Sequence, residues 1–374
     1  MGTVLLLGGF HPGQSLWSIQ KGFEGIGWDV VYQPTRGCVR AHLDADRAMA
    51  REEADLIADA SEWALPYEDV EAFQDGVFRL VEERKPKILI WWFSKDDCPP
   101  GFIRALREKF PGCKTVTHTQ DDPWDLLRSP HFTQDFEFAA TCCKESVEVY
   151  ESRGIKPIVL YPPPALELHK IAESVPHEQC DFSLTILSLY AREGGSEEEY
   201  LKSSDPETAV THVIPFPEQR ALRHEVVSAV KDLGRIHIYG GLGFGTFEGI
   251  SRPSYRGFRT YAELPGVYAS AKININQHNS PLSNGYLNQR DTAITGSGGF
   301  MLTDYVNGIE EIFDIGEEID TWETLEELKD KAAWWLRHDD ERQAAARRAQ
   351  ERILRDYGNE AYARKLVQFV GAAS

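Results

Sequence analysis

Three stretches of the sequence bring proton-transferring or anion-holding side chains together with residues that set a turn. The first is His118-Thr119-Gln120-Asp121-Asp122-Pro123-Trp124, which closes a β-branched run. An imidazole and carboxylates at the end of a strand can accept the proton of an acceptor hydroxyl or orient it. Pro123 fixes the turn, and Trp124 offers a flat face suited to a sugar ring. Capping of a following helix would explain Asp121 or Asp122 alone. It leaves His118 and Trp124 unexplained, so His118, Asp121 and Asp122 stand as candidate acid–base residues. The second stretch, Gly8-Gly9-Phe10-His11-Pro12-Gly13, joins an aliphatic run to a helix. Glycines there let a ligand approach the backbone, and the helix start offers N–H groups; His11 either caps the turn or touches the ligand. The order is not G-x-G-x-x-G, so it does not point to a dinucleotide.

The third stretch is Ser280-Pro281-Leu282-Ser283-Asn284-Gly285-Tyr286-Leu287-Asn288-Gln289-Arg290-Asp291. A loop of small residues running into a helix can hold a diphosphate through its amides and the helix dipole, with Arg290 as a charged partner. Gly296-Ser297-Gly298-Gly299 then carries more glycine than a helix end requires, which points to a close backbone approach. Asp44-Ala45-Asp46 has the D-x-D form that holds a metal in some sugar-transferring enzymes. It lies in a charged helical segment with no strand before it, so no metal site is expected.

The elements that must position these residues follow from the hydrophobic pattern. Short apolar or β-branched runs at 4–10, 29–33, 87–94, 114–119, 136–141 and 157–161 alternate with helical stretches. That alternation is the mark of a parallel sheet covered by helices. A proline cluster, Pro162-Pro163-Pro164, interrupts the series, and strands resume at 182–189, 235–240, 271–277 and 299–303. The predicted domains are 1–165, a linker at 166–180, 181–356, and a helix at 357–374 that packs back on the first domain. Residues 193–207 read as an acidic exposed loop. Thr324 with Glu327 forms a capping box ahead of a helix, and the chain ends in helices.

With 42% hydrophobic and 26% charged residues over 374, the chain is an ordinary globular one. Its net charge of −19 disfavours a general binder of nucleic acid or anionic membranes. No apolar run approaches the roughly 18 residues of a membrane span, and the first run reads as a strand rather than a signal peptide. The six cysteines include no C-x-x-C pair, which favours free thiols in a reducing, cytoplasmic setting.

Thr260-Tyr261-Ala262-Glu263-Leu264-Pro265-Gly266-Val267-Tyr268-Ala269-Ser270-Ala271-Lys272-Ile273 begins a likeness to a known family. It continues through Gly298-Gly299-Phe300-Met301-Leu302-Thr303-Asp304-Tyr305, Gly308-Ile309-Glu310-Glu311-Ile312-Phe313 and Gly316-Glu317-Glu318-Ile319. Leu325-Glu326-Glu327-Leu328 and His338-Asp339-Asp340-Glu341-Arg342 extend it further. Together, over about 235–370, these runs resemble the C-terminal domain of CgeB-like (spore-maturation) glycosyltransferases of the GT-B superfamily. Asp121-Asp122-Pro123-Trp124 and Tyr161-Pro162-Pro163 resemble that family's acidic stretch and interdomain linker.

The resemblance implies an α/β GT-B fold, two Rossmann-like domains with parallel sheets facing across a cleft. It also implies a nucleotide-diphosphate sugar as donor substrate, held by the C-terminal domain without a separate cofactor or metal. The hydroxyl acceptor would meet the N-terminal domain, and it could be a glycan, a small molecule, a protein or a modified DNA base. On this basis Ser283, Asn284, Gly285, Tyr286 and Arg290 would hold the diphosphate, with Asp291 beside them and Arg256 as a second phosphate partner. Tyr239, with Gly240 in the following turn, would stack near the base. His118, Asp121 or Asp122, and His11, would serve the acceptor. Other expectations on the same fold are a nucleotide-sugar epimerase or phosphorylase, a DNA-base glycosyltransferase, or a binding protein without catalysis. One residue departs from the family: Ala293 stands where a glutamate usually follows the arginine by three positions, and alanine cannot hold ribose hydroxyls.

Overall fold

The computed structural model describes residues 2–8, 15–34, 70–92, 101–119, 122, 135–161, 163, 174–185, 216–239, 254–257, 259, 263–278 and 285–372. The segments 41–60 and 193–207, with Asp44 and Asp46, lie outside these described residues. The chain divides into two units, one of Met1–Leu166 with Arg355–Ser374 and one of Glu167–Leu354.

The first unit holds a six-stranded sheet in the order β2-β1-β3-β4-β5-β6. Its strands are β1 Thr3–Gly8, β2 Asp29–Pro34, β3 Ile88–Trp92, β4 Lys114–Thr119, β5 Phe138–Thr141 and β6 Lys156–Val159, all paired in parallel. The described helices are α1 Ser15–Gly25, α2 Val70–Arg84, α3 Phe102–Lys109 and α4 Ser146–Ser152. Every residue of β3 is buried, because alternate side chains enter two different cores. Ile88, Ile90 and Trp92 pack with Leu16, Ile19 and Phe23 of α1. Leu89 and Trp91 pack on the other face with Phe73 and Val77 of α2 and Phe102 of α3. The α1 face is completed by a helix from the far end of the chain, Asn359–Ala372, which contributes Tyr362, Ala363, Leu366 and Val370. That helix lies so close to α1 that a Cβ on Gly22 would collide with the Asn359 carbonyl.

The second unit repeats the plan with the order β12-β11-β10-β7-β8-β9, again all parallel. Its strands are β7 Cys180–Thr185, β8 Ile236–Tyr239, β9 Tyr255–Gly257, β10 Ala271–Asn276, β11 Met301–Asp304 and β12 Asp320–Trp322. The described helices continue as α5 Phe216–Val230, α6 Leu264–Ser270, α7 Gln289–Gly296, α8 Leu325–Arg337 and α9 Asp339–Asp356, and the helix Asn359–Ala372 is α10. The three-residue strands β9 and β12 are the sheet's edges; neither carries an apolar run, so the hydrophobic pattern does not announce them. Thr324 caps α8 by accepting from the Glu327 N–H at 3.1 Å, while the Glu327 carboxylate reaches the Glu323 N–H.

The alternation of β10, Ala-Lys-Ile-Asn-Ile-Asn, gives the sheet one oily face and one polar face. Ile273 and Ile275 join Phe182, Leu184 and Leu302 against α5 and α8. Asn274 and Asn276 point the other way and are buried, so each must find partners. Asn274 accepts from the Ser183 hydroxyl at 2.5 Å and donates to the Tyr268 and Phe300 carbonyls.

This polar layer explains the extra glycine after α7. Gly298 has φ +80°, the left-handed conformation that ends a helix. A Cβ on Gly299 would lie 2.5 Å from the Asn274 amide nitrogen and 2.9 Å from the Tyr268 carbonyl oxygen. The close approach is therefore to the protein's own interior. Gly299→Ala should destabilise the fold by about 1–3 kcal/mol through overpacking. A denaturant midpoint unchanged from the parent would show that the Asn274 layer yields instead.

Candidate functional site

The carboxyl ends of β7, β10 and β11 converge on the start of α7, the edge at which open α/β sheets place ligands. The centre is His278, two residues beyond β10 and 2% exposed. Its Nδ1 lies 2.7 Å from Asp304 Oδ1, and its Nε2 lies 3.0 Å from Asp291 Oδ2. The His278 backbone N–H also donates to the Asp304 carboxylate. Burial alone would lower the imidazole pKa, but the two carboxylates outweigh it and raise the value to about 10. His278 is accordingly an imidazolium at neutral pH, and it ties the ends of two strands to the first turn of a helix.

Asp291 is saturated from inside. Its Oδ1 accepts from the Asn276 amide at 2.7 Å, and its Oδ2 accepts from the Asn288 N–H at 2.8 Å as well as pairing with His278. Asn288 completes a capping box by accepting from the Arg290 N–H at 2.8 Å. Two expectations change with this. Asp291 is enclosed and holds the helix start together, so it is not placed to touch a donor. The first amides of α7 are partly used in that cap. Gly285 takes φ +83°, and the ring of Tyr286 stands edge-on to His278 with centroids 6.3 Å apart.

Arg290 is half-buried and held as a fork. One terminal nitrogen donates to the Thr185 carbonyl and the other to the Gln277 carbonyl, each at 2.8 Å. Those two carbonyls leave the strand ends β7 and β10, so the guanidinium is fixed by the sheet itself. Arg223 of α5 is 2% exposed and lies near enough to feel both Arg290 and Asp304. Burial lowers the Arg223 pKa first, the Arg290 charge lowers it further, and Asp304 opposes them; the result is about 9. Two guanidinium groups and an imidazolium thus gather at one strand edge with two carboxylates. Among the described residues, no group of three or more His, Cys, Asp or Glu is placed to hold a metal ion. Sequence reasoning missed His278, Asp304 and Arg223 as site residues. A histidine directly after the alternating β10 run was the available signal for the first.

Tyr239 and Arg256 belong elsewhere. The Tyr239 hydroxyl donates to Glu178 Oε2 at 2.7 Å, its ring is covered by the Arg259 guanidinium at 5.3 Å, and it is 1% exposed. A base cannot stack on a face already covered. Arg256 donates to the His177 carbonyl at 3.1 Å and sits 3.5 Å from Glu178. Burial would raise the Glu178 carboxyl, but hydrogen bonds from Arg259 and Tyr239 hold it below the usual range. Tyr239 is thus enclosed by the cluster around Glu178, a correction to its expected stacking role, whereas Arg256 sits at the rim of that cluster with its side chain 30% exposed.

The acid–base expectations in the first unit also change. His118 is fully buried, with its ring 4.4 Å from Trp92 and 5.7 Å from Tyr362, and with Nε2 3.3 Å from the Leu160 carbonyl. Burial lowers its pKa to about 3, so it is a neutral core residue that no acceptor reaches. Asp122 is equally buried, and its Oδ2 accepts from the hydroxyls of Thr119 at 2.5 Å, Thr141 at 2.6 Å and Tyr150 at 3.0 Å. It ties β4, β5 and α4 together. His11, Asp121, Gly240, Ser283 and Asn284 lie outside the described residues.

The His118 burial has a measurable sign. Its folded pKa, about 3, lies below the unfolded value of about 6.5, so the unfolded chain binds the proton first. Stability from this group is full above pH about 6.5 and falls as pH drops towards 3. His118→Phe should remove about 1–3 kcal/mol of the stability lost between pH 6.5 and 4. Parallel stability curves for the two proteins over that range would refute the assignment.

Residues 220–368 match the family model described as glycosyl transferase-like, a span that takes in Arg223, His278, Arg290, Asp291 and Asp304. No curated protein matches the chain. Sucrose-phosphate synthase from Thermosynechococcus elongatus superposes over 100% of both chains with a TM-score of 0.60 at 11% identity. Anabaena HepE, solved in complex with UDP-glucose, covers 100% of both chains with a TM-score of 0.62 at 10% identity. The DNA-modifying β-glucosyltransferase covers 99% of each, with a TM-score of 0.56 at 11% identity. At such identities the likeness shows the fold: two Rossmann-like domains of the GT-B type.

Proposed function

We propose that this chain is a glycosyltransferase that moves a sugar from a nucleotide-diphosphate donor to a hydroxyl acceptor. The carrying observation is Arg290, forked between the ends of β7 and β10 inside the stretch that matches the glycosyl transferase-like model. Departure of a nucleoside diphosphate concentrates negative charge on its terminal phosphate, and fixed cations aimed there stabilise the transition state. Arg290 supplies that charge, Arg223 strengthens the field behind it, and the Gly285 and Tyr286 amides add donors. Ser283 and Asn284, just upstream in the sequence, are assigned to the same anion contact. In this reading the arginines do the work that a divalent metal does in other designs.

The motif runs from Thr260 onward support the finer assignment to the CgeB-like family. Alanine at 293 has no polar side-chain atom, so on this reading the donor's ribose is held by another group than the family's usual glutamate. UDP-sugars come first as donors, because HepE was solved with UDP-glucose and with UDP. With His118 and Asp122 enclosed, Asp121 and His11 are the remaining candidates on the acceptor side. The four described cysteines, Cys113, Cys142, Cys143 and Cys180, are buried free thiols, which fits a cytoplasmic protein. Among the described residues no helix is long and apolar enough to cross a membrane.

The test is a panel of UDP-, GDP-, ADP- and TDP-sugars, read by unfolding temperature and by release of the free nucleotide. One nucleotide class should raise the unfolding temperature in a saturable way. No response to any of them from folded protein would end the donor-binding claim.

A further inference from the structure

The second unit has another concavity, of about 500 Å³, at the amino ends of β7 and β10. This is the opposite edge of the sheet from Arg290. Its walls carry four cations, Arg235, Lys272, Arg342 and Arg347, against two carboxylates, Asp181 and Asp339. Each carboxylate already has a cation: Lys272 pairs with Asp181 at 2.8 Å, and Arg342 pairs with Asp339. Arg342 is further anchored by donating to the Trp335 carbonyl at 2.6 Å, which makes that wall rigid. Arg235 and Arg347 remain without an ion pair among the described residues, although the chain carries a net charge of −19. Arg235 lies close enough to Asp181 to help lower its carboxyl pKa, so the local excess of positive charge is that of four cations against two carboxylates on one concave surface.

We propose that this concavity is a binding site for a phosphate group, free or as the phosphomonoester of a small molecule, gripped by Arg235 and Arg347. A guanidinium meets a phosphate through two parallel hydrogen bonds, which a lone lysine cannot reproduce. The volume falls in the range of small-molecule pockets, roughly 300–1,000 Å³, and suits a sugar phosphate. The lining includes Ser174 and Gln179, from the chain entering β7, and Gln350 of α9. A bound phosphate would therefore hold the entering segment against α9. The site shares no residue with the Arg290 cluster, so it does not depend on the transferase reading.

The test is calorimetric titration of the whole protein with inorganic phosphate and with glucose 6-phosphate, at matched ionic strength. Three proteins are compared: the parent, Arg290→Ala, and the double variant Arg235→Ala/Arg347→Ala. Both substituted arginines of the double variant are exposed, so its fold should survive, and the circular dichroism spectrum checks this. The parent and Arg290→Ala should bind at least one of the two probes saturably, and the double variant should bind it at least tenfold more weakly. A tighter glucose 6-phosphate would assign the site to a phosphomonoester, and a tighter inorganic phosphate to the free ion. Absence of saturable binding to the parent would overturn the proposal. So would binding by the double variant within threefold of the parent. Loss of nucleotide-sugar response in Arg290→Ala alone would bear on the transferase reading and leave this one standing.

Discussion

His278→Ala should destabilise the protein by about 3–5 kcal/mol, the cost of removing one partner from a buried charge cluster. The substitution leaves Asp291 and Asp304 facing each other without the cation between them. Asp291 is 1% exposed at its side chain and Asp304 23%, so water relieves only one of the two carboxylates. The pH dependence separates this from a simple packing loss. The folded pKa of His278, about 10, is above the unfolded value of about 6.5, so the native state holds the proton more tightly. Its contribution is full below pH about 6.5 and disappears as pH rises through about 10. Denaturant unfolding of the parent should therefore show stability declining across that window, and His278→Ala should lack this component of the decline. A loss below about 1 kcal/mol at pH 7, or identical alkaline slopes, would refute the charged clamp.

Arg290→Ala should weaken nucleotide-sugar binding by roughly 100-fold, equivalent to about 3 kcal/mol. The effect has two sources. One is the loss of the charge that the proposed function sets opposite the diphosphate. The other is the lost fork between the Thr185 and Gln277 carbonyls, which sets the spacing of the strand ends. Arg290→Lys separates them, since lysine keeps the charge but lacks the planar fork. Its binding should fall between the parent and the alanine variant, with turnover reduced more than affinity. The measurement is titration with the nucleotide-sugar that gives the largest stabilisation. Parent-like affinity in the alanine variant would remove Arg290 from the donor site.

The sheets were legible because a parallel strand covered on both faces leaves a continuous apolar run, as Ile88-Leu89-Ile90-Trp91-Trp92 does. The polar face of the second sheet was legible only in part. The alternation Ile273-Asn274-Ile275-Asn276 announces two faces, but not that Ser183 and Asp291 would meet the asparagines. Arg290 could be singled out from its place at a helix start. His278 and Arg223 could not be joined to it, because their meeting depends on how β10, β11 and α5 pack.

His118 shows the opposite error. Strand-end histidines can serve a ligand, but His118 alternates onto the same face as Val116. That face is covered by α10, and nothing local to His118 reveals that Tyr362 will lie over it. Similarly, the hydroxyls around Asp122 come from β4, β5 and α4. Residue type and position suggested catalysis; the cover arriving from elsewhere in the chain made them structural.

The return of α10 to the first sheet also sets an order of events during synthesis. The strands of the first unit are translated before the second unit, but the face formed by Val4, Leu6, Ile90 and Trp92 has only α1 as cover until Tyr362, Leu366 and Val370 have been made. The second unit is encoded wholly between these parts, and a nascent chain can complete it earlier. Of the two units, the one whose strands are made earlier is therefore the one completed later, and part of its apolar face stays open for that interval.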